Sequence, residues 1–515
     1  MRTSVLVVGG GVVGLTGALF LARHGVPCVL VERHPDLLIH PRSRGLTPRT
    51  MEVYRQAGLE QAIKEAAFGG AGFAYVPVRA NTLADDEYAV PDEPHEDDGS
   101  AASPCGFGPI DQDRLEILVR DRAREFGADL RFATELTSFT QHGDGVTATV
   151  TDRATGASAT IDADYLVAAD GLASPIRHRL GIPVDGPGPM FTTMTAIVEA
   201  DLTPALRGRT ASIAYLQQPR PFTILMAHDD AGLRWVFGTG YDPRHESLAD
   251  FTDERVADMV RAAAGLPDAA VRLRPQVPGT DLTVLGFPIG AHVARSYRAG
   301  RGFLAGDAAH VWPPTGGLGA NAGIQDAHNL AWKLAMVLDG NAGAGLLDTY
   351  DAERRPTGLL TMEQAMARFG TRMGPGDGPD LIDYGAVSMG YRYPTPGGGD
   401  TGPVPPRELA GQPGTRAPHV PVTLAGRDIS TLDLYGSHLV LITGGAGDGW
   451  TSAAAKLDVP VDAYRLGAEV CSAYGIEAGG VSLVRPDGFV AWRANSGVPD
   501  PARTLADAVR SVLFR

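Results

Sequence analysis

The sequence predicts an α/β protein in which a Rossmann-like nucleotide-binding domain is interrupted by a mostly antiparallel sheet and followed by a small separate unit. The chain opens with a strand, a glycine-rich turn, a helix and a second strand. Alternating apolar and polar residues fill the segment between about residues 181 and 284. A Pro/Gly-rich stretch after about residue 373 precedes the last part of the chain.

The composition is typical of a soluble globular protein with several domains. The chain has 515 residues, 44% hydrophobic and 20% charged, which is too long for one core. No run reaches the roughly 20 apolar residues that cross a membrane, and the N-terminus lacks the pattern of a signal peptide. The isolated Cys28, Cys105 and Cys471 fit neither a disulfide framework nor a metal site. We therefore expect a cytoplasmic protein without a bound metal.

The charge of the chain argues against nucleic-acid binding. The net charge is −15, whereas proteins that bind nucleic acid usually carry a basic patch. The segment 84–100 is rich in carboxylates and has low hydrophobicity, which predicts a solvated loop.

The first elements form a βαβ unit. Residues 4–8 and 26–32 are short apolar runs typical of buried strands, and Val12–Arg23 places its apolar residues on one helical face. A right-handed connection between parallel strands is expected. Two further buried strands and a helix are predicted at residues 164–170, 302–307 and 322–338.

The last part of the chain reads as a separate α/β unit. Strands are predicted at 438–443, 481–484 and 489–493, with the turn "RPDG" before the last of them. A final helix begins with Asp500 as its N-cap and Pro501 in its first turn.

The turn after the first strand fits G-x-G-x-x-G with Gly9, Gly11 and Gly14. These glycines allow a tight turn, a close approach to a pyrophosphate and close packing of helix on strand. Glu32 ends the second strand, where its carboxylate can accept hydrogen bonds from both ribose hydroxyls of an adenosine. The motif predicts a dinucleotide site, but it does not separate FAD from NAD.

Two further motifs favour FAD. The first, "ADGLASPIR", contains Asp170 and Arg177. In the second, Asp307 ends a predicted buried strand, where its carboxylate needs a hydrogen-bonding partner such as a ribitol hydroxyl. The glycines at 316, 317 and 319 keep a loop open for a flat ring, and Asn321 is a plausible N-cap of the helix beyond. The N-terminus of that helix would stabilise the edge of an isoalloxazine that becomes negative on reduction.

With these motifs the chain resembles the group A flavoprotein monooxygenases, the p-hydroxybenzoate hydroxylase-like family. Residues 9–14, 170–177 and 306–334 match the three fingerprints of that family, and residues 40–52 match its segment after the second strand. The ending "VRPDGFVAWR" (484–493) is similar to that of the aromatic polyketide hydroxylases.

The resemblance implies a glutathione reductase-type FAD domain, a substrate-binding sheet domain and a thioredoxin-like C-terminal domain. The expected limits are 1–180 and 285–395 for the two parts of the FAD domain, 181–284 for the sheet domain and 396–515 for the C-terminal domain. That last domain has no C-x-x-C, so it cannot carry out dithiol chemistry, and a role in packing or oligomerisation is expected. The protein is expected to be a monomer or a homodimer.

The resemblance also implies which residues contact the cofactor. Gly9, Gly11 and Gly14 would line the pyrophosphate and Glu32 would hold the ribose. Asp307 would bind ribitol, and residues 314–319 would face the isoalloxazine. The full predicted set is Gly9, Gly11, Val13, Gly14, Glu32, Arg33, Arg42, Gln112, Leu136, Asp170, Asp307, Pro314, Gly317, Leu318, Gly319 and Asn321.

The activity implied by the resemblance is hydroxylation of a polycyclic aromatic, polyketide-type substrate. NADPH or NADH would reduce the bound FAD, and O₂ would add at flavin C4a to give a hydroperoxide that transfers oxygen. Baeyer–Villiger insertion, epoxidation and a non-oxygenating flavoprotein remain alternatives. The sequence identifies no catalytic base, and His310 has either a structural or a catalytic role.

The substrate pocket is predicted from aromatic and apolar residues. Tyr215, Met226, Trp235 and Phe237 alternate on predicted strands, which suits a sheet core as well as a pocket wall. Trp312 and Pro313 are predicted to cap the pocket.

Overall fold

The computed structural model is a mixed α/β protein, which confirms the predicted fold class. It describes residues 1–37, 39–40, 42–68, 76–87, 99–228, 232–277, 279–373, 380–395, 398 and 401–515. The acidic segment predicted as a loop lies partly outside these residues. Within them, the strands form two eight-stranded sheets, a four-stranded sheet and a two-stranded hairpin.

The first sheet is the nucleotide-binding layer. β1 pairs in parallel with both β2 and β7, and β15 pairs in parallel with β7, as the βαβ prediction requires. Its strands are β1 Arg2–Val8, β2 Cys28–Val31, β4 Asp129–Arg131, β5 Thr134–His142, β6 Gly145–Asp152, β7 Ser158–Ala168, β14 Arg298–Ala299 and β15 Gly302–Leu304.

Helices lie around this first sheet and share its hydrophobic core. The first helix packs on both the fourth and the eighth, so it is enclosed in the core. The helices are α1 Val12–Arg23, α2 Pro48–Gln56, α3 Glu60–Glu65, α4 Gln112–Glu125, α5 Pro175–Arg179, α8 Leu318–Leu338 and α9 Asp348–Met373.

The second sheet is antiparallel except where β3 pairs in parallel with β9. One face packs on α7, and together they form a separate hydrophobic core. The elements are β3 Pro77–Ala80, β8 Val184–Glu199, α6 Thr203–Leu206, β9 Ile213–Leu216, β10 Thr223–Ala227, β11 Arg234–Tyr241, α7 Asp253–Ala264, β12 Arg272–Arg274, β13 Val284–Ala294 and β16 His310–Val311.

This sheet draws strands from outside the segment 181–284. β3 lies about a hundred residues before β8, and β16 follows directly after the segment of Asp307. β16 pairs with β13, so the second sheet is joined to the turn that carries Asp307. The domain limits stay a prediction, because hydrogen-bonded pairing connects residues on both sides of them.

The C-terminal unit contains the four-stranded sheet with the order β20-β19-β21-β22. Asp500 accepts a hydrogen bond from the backbone N–H of Arg503 at 3.0 Å, which confirms it as an N-cap. Cys471 is buried and unpaired. α10 Tyr384–Ser388 precedes this unit and packs on α9. The elements of the unit are β17 Pro421–Leu424, β18 Arg427–Ser430, β19 Leu439–Thr443, α11 Asp448–Ala454, β20 Val461–Arg465, α12 Ala468–Ala473, β21 Val481–Val484, β22 Val490–Ala494 and α13 Pro501–Val512.

Two predicted boundaries differ from those observed. The strand predicted at 302–307 ends at Leu304, and Asp307 lies in a 3₁₀ turn, Gly306–Ala308. The helix predicted at 322–338 begins at Leu318. None of the helices in the described ranges is long and apolar enough to cross a membrane.

Gly14 and Gly17, both in α1, differ in how much space surrounds them. A Cβ on Gly14 would lie 1.9 Å from the carbonyl oxygen of Gly9, whereas a Cβ on Gly17 would meet its nearest atom, Ala327 Cβ, at 3.9 Å. We expect Gly14→Ala to destabilise the protein by roughly 1–3 kcal/mol through overpacking. Gly17→Ala should be neutral or stabilise by up to about 1 kcal/mol, because alanine favours a helix. Melting temperatures of the two variants check this, and equal losses would contradict it.

Candidate active site

The turn between β1 and α1 is shaped by backbone packing. Gly9 has φ +112° and donates its N–H to the Val31 carbonyl at 2.9 Å. A Cβ on Gly9 would lie 2.1 Å from the Ala169 carbonyl oxygen, so only glycine fits there. Gly11 is exposed at the start of α1, so no side chain at this position blocks an anion from approaching the N-terminus of the helix. Val13 packs towards Gly306, which brings this turn next to that of Asp307.

Glu32 lies at the end of β2 beside the same turn. Its Oε2 accepts the Gly10 N–H at 2.6 Å, and its Oε1 accepts the backbone N–H of His34 at 2.8 Å and contacts His34 Nδ1 at 2.6 Å. Burial raises the pKa of Glu32, but the hydrogen bonds from His34 and Gly10 outweigh it and lower the pKa overall. The carboxylate is therefore charged at neutral pH. The neighbouring Arg33 is exposed.

A second carboxylate, Glu116 of α4, lies at the N-terminus of α1 and was not predicted from the sequence. Its Oε1 accepts the Val12 N–H at 3.0 Å and Gln112 Nε2 at 2.8 Å. Burial raises the pKa of Glu116 to about 7, against the lowering effects of Gln112 and Arg42. The signal in the sequence was the four-residue spacing of Gln112 and Glu116, which places both on one face of a helix.

The Asp170 motif is occupied by local capping. Asp170 accepts hydrogen bonds from Ser174 Oγ at 2.6 Å and from the Ile176 N–H at 3.1 Å, next to the start of α5, whose N-cap is Ser174. Arg177 is buried and donates to the Ala308 carbonyl at 2.8 Å. The motif thus fixes the turn of Asp307, and a direct contact of Asp170 with the cofactor stays a prediction.

Asp307 is reached by solvent but is closely surrounded by protein atoms. Burial raises the pKa of its carboxyl, while the nearby His310 and Arg42 lower it. No described residue donates a hydrogen bond to this carboxylate. Its acceptor atoms are open to solvent and free to bind a hydroxyl of a ligand, which fits a flavin ribitol. Arg42 is exposed close by.

The loop before α8 is open, as its glycines predict. Gly316 has φ +83° and Gly317 has φ +65°. A Cβ on Gly317 would meet nothing within 4 Å. Pro314 and Gly317 are exposed, Gly319 is half-buried and Leu318 is buried at the start of α8.

The prediction that Asn321 is an N-cap is wrong. α8 begins at Leu318 because Gly317 adopts the left-handed conformation and takes the N-cap position. Asn321 lies within the first turn and is buried. Its Oδ1 accepts the Thr47 N–H at 2.9 Å, and its Nδ2 donates to the Gly45 and Gly317 carbonyls at 3.1 and 2.8 Å. It holds two loops together.

Two of the predicted pocket residues belong to a core, which corrects that prediction. Trp235 and Phe237 are 1% and 0% exposed and pack with α7 on the inner face of the second sheet. Tyr215 and Met226 are half-buried and lie on the opposite face by strand alternation. Alternation separates the two faces of a strand but does not say which face is covered.

Trp312 and Pro313 are buried behind the open loop. The Trp312 ring stacks on His310, with centroids 4.5 Å apart and an interplanar angle of 8°. His310 Nε2 contacts Asp326 Oδ2 at 2.7 Å. Trp312 packs with Ala322, so it supports the loop from below. Leu136 is half-buried in β5, and its contact with adenine stays a prediction.

A cluster of three phenylalanines was missed from the sequence. Phe191 of β8, Phe222 before β10 and Phe369 of α9 have ring centroids 5.6–6.1 Å apart and interplanar angles of 10–23°. One helical turn before Phe369, the Ala365 carbonyl accepts Thr315 Oγ1 at 2.6 Å. The cluster therefore lies near the open loop. Three segments far apart in the chain build it, so no local pattern reveals it.

A polar group at the start of α4 was missed as well. Asp111, Asp113 and His228 have oxygen and nitrogen atoms within 4.8 Å of one another. Arg44 donates its Nε to Asp111 Oδ1 at 2.7 Å and also bonds the Ala227 carbonyl. The guanidinium already supplies positive charge to Asp111, as a metal ion would. Arg44 thereby joins the first part of the chain to the second sheet.

Comparison with known proteins agrees with this geometry. Residues 2–365 match the FAD binding domain family, and residues 410–515 match the family described as aromatic-ring hydroxylase, C-terminal. The chain belongs to the FAD-binding aromatic-ring hydroxylases. The predictions of family, of FAD as the cofactor and of an FAD-dependent monooxygenase are confirmed.

Relatives of this aromatic-ring hydroxylase cover the whole chain. Tetracenomycin A2 monooxygenase-dioxygenase of Streptomyces glaucescens is 41% identical over 99% of this chain and 97% of its own. The 4-methyl-5-nitrocatechol 5-monooxygenase of a Burkholderia species is 40% identical over 100% and 98%. The crystal structure of aklavinone-11 hydroxylase with FAD and aklavinone superposes with a TM-score of 0.90 at 37% identity, covering 100% and 99%.

The raised pKa of Glu116 predicts that FAD binding by this hydroxylase depends on pH. Below its pKa of about 7 the group is neutral, and above it a negative charge lies where a pyrophosphate would bind at the start of α1. We expect the affinity of the apoprotein for FAD to fall roughly 3- to 10-fold between pH 6 and pH 8.5. Quenching of FAD fluorescence measures it. Glu116→Gln should remove the dependence, and an unchanged slope in that variant would contradict the assignment.

Proposed function

We propose that this enzyme hydroxylates a planar polycyclic aromatic compound of the polyketide type in secondary-metabolite biosynthesis. The observation that carries the proposal is the cluster of Phe191, Phe222 and Phe369, whose near-parallel rings lie beside the open loop. Aromatic rings stack favourably with other flat rings, by about 0.5–1.5 kcal/mol beyond burial. The similarity to aklavinone-11 hydroxylase over the full chain supports the same substrate class.

We use the word cleft for the region bordered by the β1–α1 turn, the end of β2, the turn of Asp307 and the open loop before α8. FAD fits the residues of this cleft at three points. The start of α1 provides N–H groups for the pyrophosphate, the charged Glu32 provides acceptors for the ribose, and Asp307 provides an acceptor without a protein donor. We place Gly9, Gly11 and Gly14 along the cofactor for the same reason, and Gly317 beside its ring.

When bound, FAD supplies the transfer of oxygen from O₂ after reduction by NADPH or NADH. The protein's own part is to bind, orient and exclude water. The first N–H groups of α8 have no partner within the helix, so they stabilise negative charge placed at the open loop. Leu318 and Trp312 are both buried, and they keep water away from the side of the open loop that faces the protein interior. We place the enzyme in the cytoplasm, where NAD(P)H is available, as a monomer or a homodimer.

The FAD contacts can be tested one carboxylate at a time. Glu32→Ala and Asp307→Ala each remove a hydrogen-bond acceptor for the cofactor, so we expect FAD affinity to fall roughly 10- to 100-fold in either variant. Asp144→Ala is the control, because this carboxylate is 95% exposed on a distant turn. Titration of FAD into the apoprotein measures the affinity. Retention of FAD by both site variants at the parent level would remove the assignment.

The reaction can be tested with two substrate classes. We expect a tricyclic or tetracyclic phenol or quinone to stimulate NADPH oxidation by the FAD-loaded enzyme, with one oxygen atom from ¹⁸O₂ in the product. A nitrocatechol tests the monocyclic class on which the Burkholderia relative acts. Stimulation by the nitrocatechol alone would overturn the polycyclic class. A product with an oxygen inserted into the ring, or an epoxide, would show that the reaction is not hydroxylation. NADPH oxidation without transfer of oxygen to any substrate would exclude a monooxygenase.

The phenylalanine cluster predicts a specific kinetic change. Phe369→Ala should raise KM for the polycyclic substrate roughly 3- to 10-fold, since one stacking ring is lost. NADPH oxidation without substrate should stay as in the parent. Phe126→Ala is the matched control, because Phe126 is a half-exposed phenylalanine at the end of α4. An equal KM in both variants would show that the cluster does not bind substrate.

A further inference from the structure

The turn between β21 and β22 leaves the C-terminal unit and is buried in the FAD-binding part of the molecule. We name residues 485–489, which contain "RPDG", the docking turn. Asp487 and Phe489 are each 1% exposed, although a turn with Pro, Asp and Gly normally lies in solvent. A polar turn that is fully buried needs partners for its charges, and these partners show what the turn does.

The docking turn contacts three helices through charged groups. Arg485 forms a two-point ion pair with Glu353 of α9, at 2.6 and 2.9 Å. Asp487 Oδ2 accepts Asn329 Nδ2 of α8 at 3.1 Å, and its carbonyl accepts Arg49 Nη2 of α2 at 2.6 Å. Lys333 of α8 completes the set by binding Glu353 Oε2 at 2.7 Å.

From α9 the contacts continue towards the cleft. Arg354, the neighbour of Glu353, donates its Nε to Asp326 Oδ1 at 2.7 Å. Its Nη1 donates to the Tyr393 hydroxyl at 3.1 Å, and the Tyr393 ring stacks on Phe489 with centroids 4.2 Å apart. The docking turn is therefore linked to Arg354 in two ways, by the Tyr393 side chain and by the ion pair with Glu353 on the same helix, α9.

The chain of contacts ends at the turn of Asp307. Asp326 Oδ2 accepts the Gly306 N–H at 3.2 Å and contacts His310 Nε2 at 2.7 Å. Gly306 and His310 flank Asp307 on both sides. Asp326, Arg354 and Glu353 are all at most 4% exposed, so each needs its partner in place to remain charged in the interior. Loss of one partner would therefore displace the charged groups that follow it, as far as the turn of Asp307.

We propose that the C-terminal unit sets the affinity and redox potential of the flavin, and that Arg485 and Asp487 are the positioning residues through which it acts. They hold α8 and α9 so that Asp326 fixes the Gly306–Ala308 turn with Asp307 at the cleft. The unit has no C-x-x-C and carries a single buried cysteine, Cys471, so it has no dithiol chemistry of its own. The unit contributes to the reaction by holding α8 and α9 in position. The proposal rests on the FAD site and not on the substrate class.

The test uses the full-length chain with Arg485→Gln, which keeps the length of the side chain but removes its charge. We expect FAD to bind at least 10-fold more weakly to the apoprotein and the midpoint potential of the bound flavin to shift. Arg485→Lys should restore part of the affinity, since a single charge can still reach Glu353. Tyr474→Phe is the control: this tyrosine is buried in the C-terminal unit, and its hydroxyl bonds the Pro418 carbonyl at 2.9 Å and the Tyr435 hydroxyl but no residue of the docking turn.

The melting temperature of each apoprotein separates positioning from general stability. Tyr474→Phe should lower it while the dissociation constant for FAD stays within twofold of the parent. If Arg485→Gln does not fold, Asn329→Ala serves instead, because it removes hydrogen bonds to Glu353 and Asp487 without leaving a new charge, and a threefold loss of affinity is expected. An FAD affinity within twofold of the parent and an unchanged potential, despite a lower melting temperature, would overturn the proposal. No substrate is used, so the outcome is independent of the proposed reaction.

Discussion

Mutual compensation of buried charge is the constraint on which this molecule depends. Asp326, Glu353 and Asp487 are buried carboxylates, and Arg354, Arg485 and Lys333 are the cations paired with them. An unpaired charge in the interior costs several kcal/mol, so these groups are stable only together. They come from α8, α9 and the C-terminal unit. The arrangement therefore couples the first core to the C-terminal unit, because removing one member leaves another charge buried without its partner.

The two ends of the cofactor site are built by different physical means. At the nucleotide end the backbone does most of the shaping, because Gly9 and Gly14 allow contacts that any Cβ would prevent. At the ring end, side chains far from the cleft fix an open loop and a short turn. Glu32 and Glu116 lie near one helix terminus in different protonation environments, since Glu32 has three polar contacts with its neighbours and Glu116 is mainly desolvated.

The parts of the fold that were predictable from sequence are those with a local pattern. The βαβ unit, the glycine turn and the Asp500 cap each follow from residues within a short window, and all are observed. Asn321 was assigned wrongly because the left-handed Gly317 starts the helix earlier. The spacing of Gln112 and Glu116 is local, but the contact of Glu116 with the start of α1 and the phenylalanine cluster depend on packing between distant segments, which no window contains. The role of Trp235 in a core or in a pocket stayed open, because alternation shows which residues share a face of the sheet but not what packs on that face.

The position of the docking turn in the chain has a consequence for biosynthesis. A polypeptide emerges from the ribosome N-terminus first, and domains generally fold in that order. The nucleotide turn at residues 9–14 is therefore made long before Arg485 and Asp487, which bind Glu353 and Arg49. A chain shortened before the docking turn keeps Lys333 as a partner of Glu353 but lacks Arg485. Under the proposed coupling, full affinity for the flavin appears only once the docking turn has been synthesised and has packed onto α8 and α9.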